Sequence, residues 1–284
     1  MTPARALDEA VAARRAPSAA RRQRAEIGGY RDMWRAAPPD LAERWGIAAV
    51  DLGDAVCLAC AGMPGSPMLN HAVGLGVTAP ASDGDLDAVE RFYGGLDTAY
   101  TVAVAAGATG LDGRLRARGF TDQRPWMTFH REAGTIAAPP GDVRVVDVDA
   151  GRATDFGGIV AAAFEMPPEL SGWLAAIPGR PGWSCQLALH EDVPIGAAAI
   201  FVEGDSAWFT FGATLPEHRG LGAQGSLFAS RSRRALELGV RHFVTETGAP
   251  LGDDGPGPSH RNMLRAGFAE VELRPNLASP PGRP

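Results

Sequence analysis

The spacing of apolar and polar positions changes several times along this chain, and each change marks an element. Val56-Cys57-Leu58-Ala59-Cys60 is a continuous apolar run too short for a helix and reads as a buried strand. Leu86 to Phe92 has helical spacing, and Tyr100 to Ala105 reads as another strand. Residues 133–142, Ala-Gly-Thr-Ile-Ala-Ala-Pro-Pro-Gly-Asp, have no period and collect turn formers, so they read as a linker. Beyond it, Val143 to Val148 is predicted as a strand, with helices at Arg152 to Phe164 and Pro168 to Ala176. Trp183 to His190 and Pro194 to Val202 form a strand pair around the turn Glu191-Asp192-Val193. A second turn, Glu203-Gly204-Asp205, leads into the strand Trp208 to Thr214. A helix then runs to about Leu238, with Leu227, Phe228, Ala235 and Leu238 on one stripe and Gly239 as its stop. The strand His242 to Thr247, a flexible segment from Gly248 to Pro258, a short helix and closing strands to about Leu277 complete the pattern. The order predicted after the linker is β-α-α-β-β-β-α-β-α-β.

One short sequence occurs twice. Leu115-Arg116-Ala117-Arg118-Gly119-Phe120 echoes Leu264-Arg265-Ala266-Gly267-Phe268, and a strand-like run follows each. A separation of roughly 150 residues suggests two copies of one fold, with coincidence between two ordinary helix-to-strand endings as the alternative. The length of 284 residues suits two domains of about 140. The predicted division is 1–132, a linker at 133–142, and 143–284.

Composition narrows the possibilities. An apolar fraction of 45% and a charged fraction of 21% belong to a globular protein. A net charge of −6 leaves no basic excess for nucleic acid, and all 27 basic residues are arginine. No run of about 18 apolar residues is present, so no membrane span is expected. Arg14-Arg15 and Arg21-Arg22 are not followed by the apolar core of an export signal, and a cytoplasmic location is expected. Three cysteines are too few for a disulfide framework. Cys57 and Cys60 form a C-x-x-C, but inside an apolar strand cysteine behaves as a small hydrophobe. Six scattered histidines show no ligand spacing, so no metal is expected.

The most chemically specific segment is 216–225, Pro-Glu-His-Arg-Gly-Leu-Gly-Ala-Gln-Gly, between a strand and a helix. The first turn of a helix carries backbone N–H groups without partners, and its dipole favours negative charge there. Gly220, Gly222 and Gly225 would let that backbone approach a bulky anion such as a pyrophosphate. An ordinary tight turn is the plain alternative. A nucleotide loop of the P-loop type would need a lysine, and the chain has none.

Arg219, Leu221, Gly222 and Ala223 resemble the Q/R-x-x-G-x-G/A signature of the GNAT family of acyl-CoA-dependent N-acyltransferases. Gln224 departs from it at the sixth position. Ser259 to Phe268, roughly 40 residues downstream, resembles the family's Asn-containing helix ending in Gly-Phe. The resemblance implies an α/β (α+β) fold, a mixed central sheet flanked by helices, here in two tandem copies. The first copy lacks the signature: Val73-Gly74-Leu75-Gly76-Val77-Thr78-Ala79-Pro80 has glycines but no phosphate turn. It reads as a degenerate copy that helps to build the acceptor pocket.

The resemblance also implies direct transfer of an acyl group, acetyl first, from acetyl-CoA to the amine of a small molecule in a ternary complex. Arg219, Gly220, Leu221, Gly222, Ala223, Gln224 and Gly225 would hold the pyrophosphate. Ala213, Thr214 and Leu215 would pair with the pantetheine arm, and Asn262 would contact it. Arg231, Arg233 and Arg234 read first as a solvated helix face, with phosphate contact as the alternative. The attacking amine needs a base, and Glu246 is the candidate, set against a solvated strand-end carboxylate. Glu165 would bind a cationic acceptor, and Trp173, Trp183 and Trp208 would lie near it. Met263 stands where many members have a proton-donating Tyr, which leaves His260 or an unassisted thiolate. A silent acyl-CoA-binding or regulatory protein is the alternative function. A homodimer is compatible with either reading.

Overall fold

The computed structural model describes residues 18–250 and 255–281; Arg14-Arg15 and part of the segment read as flexible lie outside them. In the first half, helices α1 (Ala19–Arg35) and α2 (Pro39–Trp45) lead into strands β1 (Ile47–Leu52), β2 (Ala55–Cys60) and β3 (His71–Val73). Helix α3 (Asp83–Gly94), β4 (Thr101–Ala103), α4 (Leu111–Ala117) and β5 (Thr121–Glu132) follow. The second half opens with β6 (Arg144–Asp147) and continues through α5 (Ala153–Ala163), α6 (Ser171–Ala175), β7 (Trp183–His190) and β8 (Val193–Glu203). It ends with β9 (Ser206–Thr214), α7 (Ala223–Glu237), β10 (His242–Gly248), α8 (Pro258–Arg265) and β11 (Ala269–Ala278). From α1 and from α5 the order is the same, α-α-β-β-β-α-β-α-β, so the short sequence echo marks a repeat of the whole arrangement.

Local chemistry sets several boundaries. Ser82 and Asp85 form a reciprocal capping box at the start of α3, which satisfies two otherwise unpaired N–H groups. Glu191 and Asp192, with φ of 49° and 63°, make the two-residue left-handed turn whose twist suits the β7–β8 hairpin. In α1 the pair Gly28-Gly29 lets the helix lie directly on the second half. A Cβ on Gly29 would stand 2.5 Å from the Trp208 ring, and one on Gly28 2.9 Å from Phe201.

Among the described residues, all eleven strands join one sheet, in the order β1-β2-β3-β4-β11-β5-β10-β9-β8-β7-β6. Two pairs, β3–β4 and β9–β10, are parallel. The two closing strands change places. β5, from the first half, pairs with β10, and β11, from the second, pairs with β4. The two also pair with each other in the centre. The stretch 133–142 therefore separates two repeats but not two independent bodies. One apolar core confirms this, because Tyr30, Trp34 and Leu58 pack in it with Phe156, Trp173 and Trp208.

The C-x-x-C is structural. Cys57 and Cys60 point to opposite faces of β2, into two different cores. Burial pushes their thiols up to about 12 and about 11, far from the thiolate form that redox chemistry needs. Among the described residues no helix is long and apolar enough to cross a membrane.

Candidate functional site

The site begins where β9 and β10 part. Their parallel pairing holds for three positions, His242–Ser206, Phe243–Ala207 and Val244–Trp208, and then stops. Just past that point β9 carries a bulge. Ala197 of β8 faces Ala213, but Ala199 faces Thr210, so β9 spends one extra residue. Phe211 takes up the strain with a φ of 54°, an uncommon value for a bulky residue. The parted strands open a cavity of about 1080 Å³. It passes through the sheet, from the side covered by α7 and α8 to the side covered by α1, α5 and α6.

On the α7 side the cavity reaches the glycine-rich loop. Gly220 and Gly222 both have φ of 89°, which only glycine adopts freely, and α7 begins at Ala223 with no side chain capping it. Arg219, Gly220, Gly222, Ala223, Gln224 and Gly225 line the cavity here, while Leu221 points out to solvent. Gln224, the departure from the family signature, donates from Nε2 to Thr214 Oγ1 at 3.1 Å and so ties the first turn of α7 back to β9. The linker adds an unforeseen wall. Ile136 N donates to Ser232 Oγ at 3.0 Å, and Pro139 lies so close that a Cβ on Gly225 would stand 2.8 Å from its ring. Gly225 is thus required by the packing of Pro139 as well as by any anion.

Ala213, Thr214 and Asn262 also line the cavity, and Leu215 does not; its N–H is committed to Ile195 O at 3.0 Å. Arg231 corrects the expectation of a solvated face, since it is 2% exposed. Its Nη1 donates to Ala199 O at 3.3 Å and Thr210 O at 3.2 Å, the two carbonyls at the register break, and its guanidinium lies over the Phe209 and Phe228 rings. Burial pulls its ordinary value down to about 9. The sequence did hold a signal, because Arg231 is one turn from both Leu227 and Ala235 and so falls on the apolar stripe. Leu238, placed on that stripe, is exposed instead.

On the α1 side the cavity ends in aromatic rings around one carboxylate. Trp208 Nε1 donates to Glu246 Oε2 at 2.8 Å, and Tyr30 Oη lies 3.5 Å from Glu246 Oε1. Burial, reinforced by the neighbouring Glu26 carboxylate, pushes the Glu246 carboxyl up to about 8. Behind it Arg274 and Glu26 form a buried bidentate pair at 2.9 and 2.6 Å, one partner from β11 and the other from α1. Glu246 also borders a second cavity of about 10 Å³, lined by Gln23, Glu26 and Thr245, which is about the room that one water needs.

Other expected residues fall elsewhere. His260 does not line the cavity. Its ring packs edge-on against Phe129, and its Nε2 is engaged with Glu270 at the root of β11. The proton-donor role drawn for it has no geometric basis. Glu165 is an exposed residue with φ of 54° after α5 and points away from the cavity that its neighbours Phe164 and Met166 line. Trp183 stands one layer behind Trp208, its Nε1 donating to Asp32 Oδ1 at 2.9 Å. Met263 does reach the cavity but has no proton to give. The residues missed by the sequence are those of the first half, Tyr30, Trp34, Leu69 and Trp126, which only the interlocked fold brings here. Among the described residues no cluster of three or more His, Cys, Asp or Glu has the geometry to hold a metal.

No protein-family model and no curated protein matches the chain. Solved structures do. A GCN5-related N-acetyltransferase from Kribbella flavida superposes with a TM-score of 0.61 at 20% identity, over 91% of this chain and 96% of its own. A GCN5-related N-acetyltransferase from Sphaerobacter thermophilus gives 0.57 at 16% identity, over 84% of each chain. A tandem GNAT protein from the clavulanic acid biosynthesis pathway gives 0.51 at 14% identity, over 69% of this chain and 68% of its own. At these identities the likeness establishes architecture, and the chain has the fold of the GNAT N-acetyltransferases.

Proposed function

We propose that the protein is an acyl-CoA-dependent N-acyltransferase, acetyl-CoA being the first donor to test. One observation carries the reading: a single cavity joins an uncapped, glycine-led helix N-terminus to a buried carboxylate. The residues present fit the donor. Phosphates suit the backbone N–H groups of the first turn of α7, with Arg219 beside them. The open edge of β9 past Trp208 suits the amide-bearing pantetheine arm. The bulge at Phe211 breaks the regular β8–β9 register, and a backbone N–H freed there would stabilise the oxyanion of the thioester, an effect worth about 3 kcal/mol in comparable sites.

The acceptor enters from the α1 side as an ammonium and gives one proton to Glu246. Its nitrogen then attacks the thioester carbon, the C–N bond forms, and the C–S bond breaks as the tetrahedral oxyanion collapses. The departing thiolate takes the second proton from the new amide nitrogen. A carboxylate near pH 8 in affinity is closer to an amine than an ordinary one, so proton transfer to it is easier.

Met263 lines the cavity at the position where the resemblance leads one to expect a proton-donating Tyr, which favours a second reading, a silent acyl-CoA binder. The test is calorimetric titration with acetyl-CoA, beside an Arg219→Glu, Gly222→Glu double variant, followed by thiol release with amines. Binding in the wild type that the variant loses, together with turnover, supports the enzyme. Binding without turnover on any amine supports the silent binder, and no binding removes both.

A further inference from the structure

The acceptor end of the cavity has a composition of its own. Four rings form a continuous wall: Tyr30 packs against Trp208 at 4.6 Å and Trp34 at 6.0 Å between centroids, and Trp34 against Trp173 at 5.0 Å. The polar ends of these rings are already engaged. Trp34 Nε1 donates to Ala59 O, Trp173 Nε1 to Met33 O and Trp208 Nε1 to Glu246. What remains towards the cavity is aromatic surface and one carboxylate. The rim is apolar as well, with Met68 40% and Phe164 37% exposed.

Among the described residues, the arginines that line the cavity lie at the other end: Arg219, Arg231 and Arg265, from the glycine-rich loop, α7 and α8. Behind the acceptor side, Arg274 stands over the Trp126 ring and is matched by Glu26 through two hydrogen bonds. His71, wedged edge-on against Tyr30 and Trp126, is held neutral by burial, its imidazole pulled down to about 3.

We infer that this end selects a primary amine borne on an uncharged apolar or aromatic body and rejects acceptors that carry a carboxylate or phosphate near the amine. The reading rests on the acyl-transfer function proposed above for the same cavity. Ring faces carry partial negative charge and attract an ammonium, most strongly where water is excluded, and Glu246 adds its charge once pH passes about 8. A second anion on the acceptor would lose its hydration, meet no unmatched cation there among the described residues and be repelled by the ionised Glu246. The apolar remainder of the acceptor would extend past Met68 and Phe164 to the rim.

The test uses the full chain at about pH 8.5, where Glu246 is largely ionised and an alkylammonium is still protonated. Tryptophan emission is followed on titration with 2-phenylethylammonium, phenylalanine and 2-phenylethanol. The ammonium is expected to bind at least about tenfold more tightly than either of the others, and Glu246→Gln to remove most of that preference. Equal or tighter binding of phenylalanine or of the alcohol overturns the inference, as does an unchanged preference in Glu246→Gln or no binding of the ammonium. The acetyl-CoA titration separates the two readings. Ammonium binding without acetyl-CoA binding overturns acyl transfer and leaves an amine receptor, whereas the reverse overturns the inference alone.

Discussion

Glu246 is the residue on which most of the proposed chemistry turns, and its environment comes from three other elements. Tyr30 and Glu26 face it from α1, Trp208 from β9 and Arg274 from β11. Burial and the Glu26 charge raise its proton affinity, and Arg274 with the hydrogen bonds from Trp208 and Tyr30 only partly offsets them. If Glu246 is the base, kcat/KM should rise with pH through an acid limb near 8 and level off above it. Glu246→Gln should lower kcat/KM by about a hundredfold or more and remove that limb. A pH profile unchanged in the variant would take the role from Glu246. Stability should respond with a sign that can be worked out in advance. The folded value of Glu246 lies above the unfolded value of about 4.3, so the native state holds a proton that the unfolded chain releases. Its favourable contribution is complete below that value and is lost as pH rises through about 8. Melting curves should therefore show Glu246→Gln at or near wild-type stability around pH 5 and more stable than wild type around pH 9.

At the scale of elements, α1 is the piece that joins the two repeats. Its buried face touches β1 and β2 of the first half and β8, β9 and β10 of the second. Two consecutive glycines inside a helix ordinarily cost about 1 kcal/mol each relative to alanine. Here they allow the backbone to rest on Phe201 and Trp208. In an exposed helix Gly29→Ala would stabilise, but its Cβ would meet the Trp208 ring at 2.5 Å, and the sign reverses. The expected result is a loss of about 1–3 kcal/mol in denaturant unfolding, with weaker amine binding because the indole that holds Glu246 is displaced. A stabilised Gly29→Ala variant would mean that α1 has slack which the close contact denies. The β9 bulge depends on a different device: the buried Arg231 satisfies the two carbonyls that the register break leaves exposed.

For the whole molecule, the exchanged closing strands decide what can exist alone. A fragment of residues 143–284 would lack β5, the partner of both β10 and β11, and would leave Arg274 buried without Glu26. Two bare strand edges and an unmatched charge are each strongly unfavourable. The fragment, followed by circular dichroism during thermal unfolding, should show no cooperative transition. It should recover one only when residues 1–142 are supplied. Cooperative unfolding of the fragment by itself would show that the halves are separable after all. The same exchange explains why the cavity is shared, since Tyr30, Trp34 and Trp126 line it beside Glu246 only because β5 and α1 lie within the second half's territory.

The sequence by itself determined what depends on neighbours along the chain. Periodicity gave the order of elements after the linker, because an apolar stripe or run must face a core wherever the element ends up. The glycine pattern at 220 and 222 marked the left-handed turn ahead of α7, because a left-handed backbone needs glycine whatever surrounds it. A buried arginine at 231 was written in the same stripe, but exposure is the usual state of arginine and the stripe alone did not overrule it. Only the tertiary structure decided the rest. The exchange of β5 and β11 follows from pairings between residues far apart in the chain, such as Val244 with His130 and Glu270 with Phe129, which no local pattern encodes. His260 and Glu165 have the right chemistry and the right segment, yet the faces on which they sit were settled by Phe129, Glu270 and the turn after α5. Glu246 shows the division most clearly. Its place at the end of a strand was legible, while its burial, its raised proton affinity and its aromatic surroundings arise from three other elements folded against it.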